Sequence, residues 1–272
     1  MSSESPASTE PTEATETTPL SSAEIVPPKL QRVYDLLIQA YGEPEWKPDG
    51  DGLGGLVGTI LSQHTSDVNS GRAYEQLVAT FPSWEAVRDA PIEQVAEAIR
   101  VGGLANLKAQ RIQEVLRVLT VRLNGAGARA TNGSESAGTQ FPQAPAAAGA
   151  PLSLNFLAGL PLGEAQDYLR SLPGVGPKTA ACVLLFSLGM PAFPVDTHVH
   201  RVSRRLGLID ARVSADQAHA VFERIVPAEW AYPLHVNLIR HGRRICHAQR
   251  PDCAHCPLRL ECAYYAGLQR EK

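Results

Sequence analysis

Cys246, Cys253, Cys256 and Cys262 stand in one seventeen-residue stretch, spaced C-x6-C-x2-C-x5-C. Thiolate is a soft ligand, and four of them in a single loop select zinc or an iron–sulfur cluster. Zinc modules pair two C-x2-C arms across a longer spacer. Here one C-x2-C with wide flanks suits the corners of a larger cubane, so a [4Fe–4S] cluster is the expected occupant and zinc the alternative. Disulfides are disfavoured, because no leader marks the chain for export and a reducing, intracellular home fits the thiols. The fifth cysteine, Cys182, lies in the apolar run 180–187 and reads as a small buried hydrophobe.

A second group of residues lies upstream. Residues 172–180 read L-P-G-V-G-P-K-T-A. Gly174 and Gly176 let a backbone turn sharply and approach another molecule closely. Pro177 suits a first helical turn, and the free N–H groups at that helix start form a cradle for phosphate. The string is the signature of a helix-hairpin-helix contact with a DNA backbone. Lys178 follows at the second helical position. A solvated lysine has a pKa near ~10.4, and a helix N-terminus shifts it by less than one unit, so only dehydration by a bound substrate makes it a nucleophile. The plainer role for Lys178 is a phosphate contact.

Asp196 stands in F-P-V-D-T-H-V-H-R, residues 193–201, just ahead of a helical run over 197–206. An aspartate there caps the helix, and the helix dipole keeps it ionised. A fixed carboxylate can stabilise a developing sugar cation or move a proton. It cannot activate Lys178, because a neighbouring anion favours the ammonium. His198 and His200 are read as structural rather than metal-binding.

Helices must position all of these groups. Leu30, Val33, Leu36, Leu37 and Ala40 repeat at helical spacing. Further helices are expected over 53–63, after Ser66, after Ser83, over 92–100, 107–123, 154–160, 164–171 and 177–189. Gly and Pro interrupt every β-branched run, so the fold class is all-α. Residues 1–28 and 124–151 are low in aromatics and rich in Gly, Ala, Ser, Thr and Pro, and are expected to be a disordered acidic tail and a disordered insertion.

Charge is uneven along the 272 residues. The formal net value is −3, but residues 1–28 hold five glutamates and no basic side chain, which leaves the remainder net positive. From Arg201 onward twelve basic side chains face seven acidic ones, a balance compatible with a polyanionic partner. No apolar run approaches the ~18 residues of a membrane span, and a soluble protein with no membrane partner is expected.

The three motifs in this order resemble the endonuclease III family, the helix-hairpin-helix DNA glycosylases with an iron–sulfur loop, from Lys29 to Tyr265. The resemblance implies two lobes with DNA in the cleft: a six-helix barrel over 50–189, and a cluster lobe over 190–272 joined by the first helix, 29–49. It implies a monomeric base-excision-repair enzyme that removes oxidised pyrimidines from duplex DNA and cuts 3′ to the abasic site by β-elimination, in the cytoplasm of a bacterium, at the nucleoid. Lys178 matches the Schiff-base lysine, Asp196 the catalytic aspartate, and the four cysteines the cluster ligands. Leu104, in G-L-A-N over 103–106, matches a leucine that wedges into the base stack. Gln63 or His64, in L-S-Q-H-T-S-D over 61–67, fills the gap left by a flipped nucleotide. Arg243, Arg244 and Arg250 are candidate phosphate contacts. Two alternatives stand beside this reading. One is a monofunctional adenine or mismatch glycosylase, which ordinarily lacks a nucleophile at Lys178 and, for adenine enzymes, carries a further C-terminal domain where ten residues follow Cys262 here. The other is a non-catalytic DNA-binding module folded around zinc.

Overall fold

A computed structural model describes residues 26–125 and 151–270. The expected tail and insertion lie almost wholly outside these residues, with two corrections at their edges. Pro28 already opens the first helix, and the helix expected to stop before the insertion runs on through Gly125.

Among the described residues the regular structure is all helical: α1 Pro28–Tyr41, α2 Gly52–Ser62, α3 Asp67–Thr80, α4 Trp84–Asp89, α5 Ile92–Ala98, α6 Ala105–Gly125, α7 Leu162–Arg170, α8 Pro177–Cys182, α9 Thr197–Leu206, α10 Ala215–Ile225, α11 Ala231–Arg244 and α12 Ala263–Arg270. Side-chain oxygens start many of them. Ser66, Ser83 and Asp196 accept from the third residue onward, as their positions predict, and Ser214 forms a reciprocal capping box with Gln217. The helix expected over 177–189 changes character. After α8 it widens into a π-helical turn, Val183–Ser187.

Two hydrophobic cores follow from the burial pattern. α2 is apolar nearly all round and buries Leu53, Leu56, Val57, Ile60 and Leu61, which makes it the central helix of the first core. α3 to α8 pack around it. Its glycines permit this approach: a Cβ on Gly55 would collide with Ser187 Oγ of the π turn. The second core takes Leu30, Val33 and Leu37 from α1, then Val199, Val202 and Leu206 from α9, Phe222 from α10, and Leu234 and Leu238 from α11. Phe193 stacks on Phe222 with centroids 4.5 Å apart, and both rings are fully buried. Residues 190–195 carry the chain from one core to the other, with Met190 and Ala192 in the first and Phe193 and Val195 in the second.

Phe222→Ala removes a ring from the centre of the second core. It should cost about 3–5 kcal/mol, read as a lowered midpoint of chemical denaturation with helical circular dichroism retained before the transition.

Candidate active site

The turn between α7 and α8 is the predicted hairpin. Val175 is buried and anchors it to the first core. Gly174 has φ +69°, which favours glycine, and a Cβ there would also make the Arg111 side chain move aside. Gly176 corrects the expectation that both glycines shape the turn. Its φ is −91° with ψ 177°, an extended conformation open to any residue, and nothing lies within 4 Å of the place a Cβ would take. Glycine at 176 leaves open space at the start of α8 instead.

Lys178 is half-buried on α8, one position before the buried Thr179. Asp196 is half-buried at the start of α9, where a carboxylate oxygen accepts from the Val199 N–H at 2.7 Å. The two come from different elements but act electrostatically on the same two buried side chains, Cys182 and His235. Burial pushes the Cys182 thiol up, and the adjacent Lys178 ammonium offsets part of that. The segment leading to Asp196 is held by two histidines with no motif of their own. His219 Nδ1 donates to the Phe193 carbonyl at 2.9 Å, and His235 Nδ1 donates to the Pro194 carbonyl at 2.8 Å. Burial pushes both imidazoles below their ordinary range and so favours the neutral ring. His198 bonds Arg201, and His200 bonds the Val213 carbonyl.

The loops leading into α3 and α6 carry backbone strain. Outside glycine, three described residues have positive φ: His64 at 55°, Leu104 at 50° and Arg250 at 49°. Each such placement costs on the order of 1–3 kcal/mol. Leu104 is 55% exposed, which is uncommon for a leucine held in that conformation. The structure separates Gln63 from His64. Gln63 is tied inward, accepting from Arg111 Nη1 at 3.1 Å and donating to Thr179 Oγ1 at 3.4 Å, whereas His64 is exposed. Of the three candidate arginines, Arg243 pairs with Asp67 at 2.9 Å and Arg244 lies over the Tyr41 ring at 5.9 Å. Arg250 is exposed between the first two cysteines.

The four cysteines Cys246, Cys253, Cys256 and Cys262 are unpaired and line one cavity together with Arg205 and His241. Among the described residues no three of the His, Cys, Asp and Glu side chains converge closely enough to hold a single metal ion. Burial raises the Cys256 thiol to about 11. Arg205 Nη1 donates to Cys246 Sγ at 3.3 Å and to the His247 carbonyl at 2.6 Å, while Nη2 donates to Ala248 at 2.9 Å. His241, lowered by burial to about 4, sits between Tyr41 Oη at 2.9 Å and Cys256 Sγ at 3.6 Å. Neither Arg205 nor His241 was legible as part of this loop, since each lies outside the cysteine stretch.

The model for the HhH-GPD superfamily of base excision DNA repair proteins matches residues 57–228, which include the hairpin, Lys178 and Asp196. The chain belongs to that superfamily. Endonuclease III of Thermotoga maritima is 31% identical over 210 residues, 77% of this chain and 82% of the relative. A protein of Arabidopsis thaliana is 36% identical over 194 residues, 71% of this chain, and the match spans 57% of the plant protein's length. Likeness to bacterial and plant proteins alike does not single out a bacterial source. Among solved structures, a non-covalent complex of endonuclease III with DNA aligns with a TM-score of 0.65 at 28% identity, covering 89% of this chain and 98% of that one. A thermostable thymine-DNA glycosylase shares the fold at a TM-score of 0.65 and 20% identity, over 88% of this chain and 97% of that one.

By family and fold this superfamily member is a DNA glycosylase of the endonuclease III kind. Among its described residues no helix is long and apolar enough to cross a membrane. The two hairpin glycines should separate cleanly by experiment. Gly174→Ala should lower the melting temperature, because it meets both strain and the Arg111 clash. Gly176→Ala should leave melting unchanged yet weaken binding to a duplex with an abasic-site analogue at least tenfold, about 1.4 kcal/mol, measured by fluorescence anisotropy.

Proposed function

We propose that this protein is a bifunctional DNA glycosylase and abasic-site lyase that removes oxidised pyrimidines from duplex DNA. The observation that carries the reading is the placement of Lys178: half-buried on the hairpin helix, with Asp196 acting on the same buried neighbours, Cys182 and His235. A base inside a duplex cannot be reached, so the nucleotide must be turned out of the stack at a cost of a few kcal/mol. Leu104 enters as the wedge and His64 fills the gap, with Gln63 held back as support. The open amides at Gly176 and the start of α8 take phosphate oxygens, joined by Arg250. Arg243 and Arg244 reach phosphates only by leaving Asp67 and Tyr41.

The chemistry then uses two groups. A strand lying over Lys178 dehydrates its ammonium and lowers its pKa, the proton passes to a departing water, and the neutral amine attacks C1′ of the extruded sugar. The C1′–N bond to the base breaks, its electron pair leaving with the base. Asp196 stabilises the positive charge that develops on the sugar and carries protons as the ring opens to an imine. Loss of a C2′ proton then expels the 3′ phosphate, and water hydrolyses the imine to free Lys178. Residues 29–49 and 190–272 form one lobe and residues 50–189 the other, with the strand between them.

Cys246, Cys253, Cys256 and Cys262 would hold a [4Fe–4S] cluster. The donor set fits in its chemistry: four unpaired thiols on a shared cavity, with Arg205 and His241 aimed at two sulfurs. Binding must break the bond that the Cys262 thiol makes to the Arg205 carbonyl, since a thiolate cannot donate. When bound, the group cross-links the basic loop at four points, and its redox chemistry is not used in the reaction above.

A panel of duplexes carrying thymine glycol, dihydrouracil, a uracil mismatch or an abasic site tests the assignment, with product ends resolved to tell β-elimination from hydrolysis. Cutting at thymine glycol and dihydrouracil is expected, and base release without any borohydride-trapped adduct would overturn it. Lys178→Gln should keep duplex affinity and lose the adduct. Asp196→Asn should slow base release by about 10²–10⁴-fold, with melting little changed; near-normal turnover would leave Asp196 a helix cap and no more. Purified protein should be brown and bleach on reduction.

A further inference from the structure

Lys108 is a buried ammonium without a carboxylate. Its side chain is 3% exposed, and its three donors go to the Leu61 carbonyl at 2.7 Å, the Thr65 hydroxyl at 2.6 Å and the Gly102 carbonyl at 2.9 Å. Burial lowers its pKa, and no neighbouring anion opposes this. A buried charge of this kind is costly, and it is tolerated here because each of its three donors meets an oxygen. What the ammonium supplies is a three-way junction. Leu61 and Thr65 bracket the segment that carries His64. Gly102 stands two residues before Leu104, and the Lys108 backbone N–H itself donates to the Leu104 carbonyl at 3.0 Å. The Thr65 hydroxyl accepts from Lys108 and donates to the same Gly102 carbonyl. Both loops hold a non-glycine residue in the left-handed region, at φ 55° and 50°, a backbone state that needs outside restraint.

We propose that Lys108 is a positioning residue that couples the two strand-entering loops, so that Leu104 and His64 enter the duplex as one rigid pair. The inference rests on the reading that these two side chains replace the extruded nucleotide. Lys108 touches neither substrate nor Lys178. Its effect therefore falls on opening the duplex and not on the chemistry at C1′.

The test is single-turnover base release from one oxidised pyrimidine in two settings: paired in a duplex, and centred in a bubble of unpaired bases. Fluorescence of a 2-aminopurine beside the lesion reports unstacking in parallel. Lys108→Met should slow release from the duplex roughly 100-fold, the scale of a 1 Å misplacement, and from the bubble by no more than about threefold. The 2-aminopurine signal on the duplex should fall with it. Equal losses on both substrates, or no loss on either, would overturn the coupling. If Lys108→Met does not fold, Thr65→Val decides by the same comparison, because it removes the relay and leaves the ammonium its two carbonyls. A wild-type chain that releases no base in either setting would instead defeat the functional reading on which this rests.

Discussion

Lys178 and Asp196, the proposed reacting pair, stand on two separate cores, so their placement depends on the buried crossing between them. Residues 190–195 leave the end of the π turn and arrive at Asp196 through a stretch with nearly every side chain buried. Its backbone carbonyls cannot reach water, and a buried carbonyl without a donor costs about as much as a lost hydrogen bond. His219 and His235 supply those donors to Phe193 and Pro194, and the Glu223 carboxylate accepts from the Phe193 N–H at 3.3 Å. Because burial favours the neutral imidazole at both positions, they satisfy the crossing while disfavouring positive charge beside Lys178. A lysine or arginine in either place would also donate, but it would place a cation next to the amine and compete for Asp196. Neutral imidazole meets both requirements at once.

Much of this was legible in the sequence, for identifiable reasons. Caps are local: Ser66, Ser83 and Asp196 act on amides three residues away, so position alone announces them. The cysteine spacing and the hairpin string are likewise contained in short windows. The part that α1 plays in the second core was legible as periodicity, since Leu30, Val33 and Leu37 recur at helical spacing. What escaped is long-range. Nothing near His219 or His235 says that each will meet a carbonyl 26 or 41 residues away. Arg205 lies 41 residues before the cysteine it contacts. Gly176 reads as a turn glycine from its neighbours, yet its φ is ordinary and its reason is the empty space beside it. The choice between Gln63 and His64 also needed the fold, because only Arg111 on α6 and Thr179 on α8 show which of the two is occupied.

Among the described residues, non-glycine strain is concentrated on loops proposed to meet the substrate. The three left-handed non-glycine residues stand on three different loops, and each belongs to the set expected to touch DNA. A helix or a relaxed turn would direct a leucine inward, where burial is worth about 1.5–3 kcal/mol. Leu104 has forgone that gain and accepted an unfavourable φ besides. Two neighbouring residues, Lys108 and Thr65, hold the backbone around it, which leaves the apolar tip free for a partner that offers a base stack in place of a core.

The basic loop poses the complementary problem, that of holding cations where there is little core to hold them. Leu258 is the fully buried hydrophobe of the segment from Cys246 to Cys262, and its neighbours are half-buried or exposed. Such a stretch gains too little from burial to fix its own backbone. Arg205 compensates from α9 by gripping two of its carbonyls, Arg201 by donating to the Cys246 carbonyl at 3.0 Å, and Arg32 from α1 by pairing with Glu261 at 2.8 Å. These restraints bring the four thiols onto a common cavity without a disulfide among them. A group ligated by all four would close the loop covalently, with the Cys246 thiolate beside Arg205. The cationic side chain at Arg250 is left on the outer surface, where its strained φ points to a fixed loop rather than a wandering one.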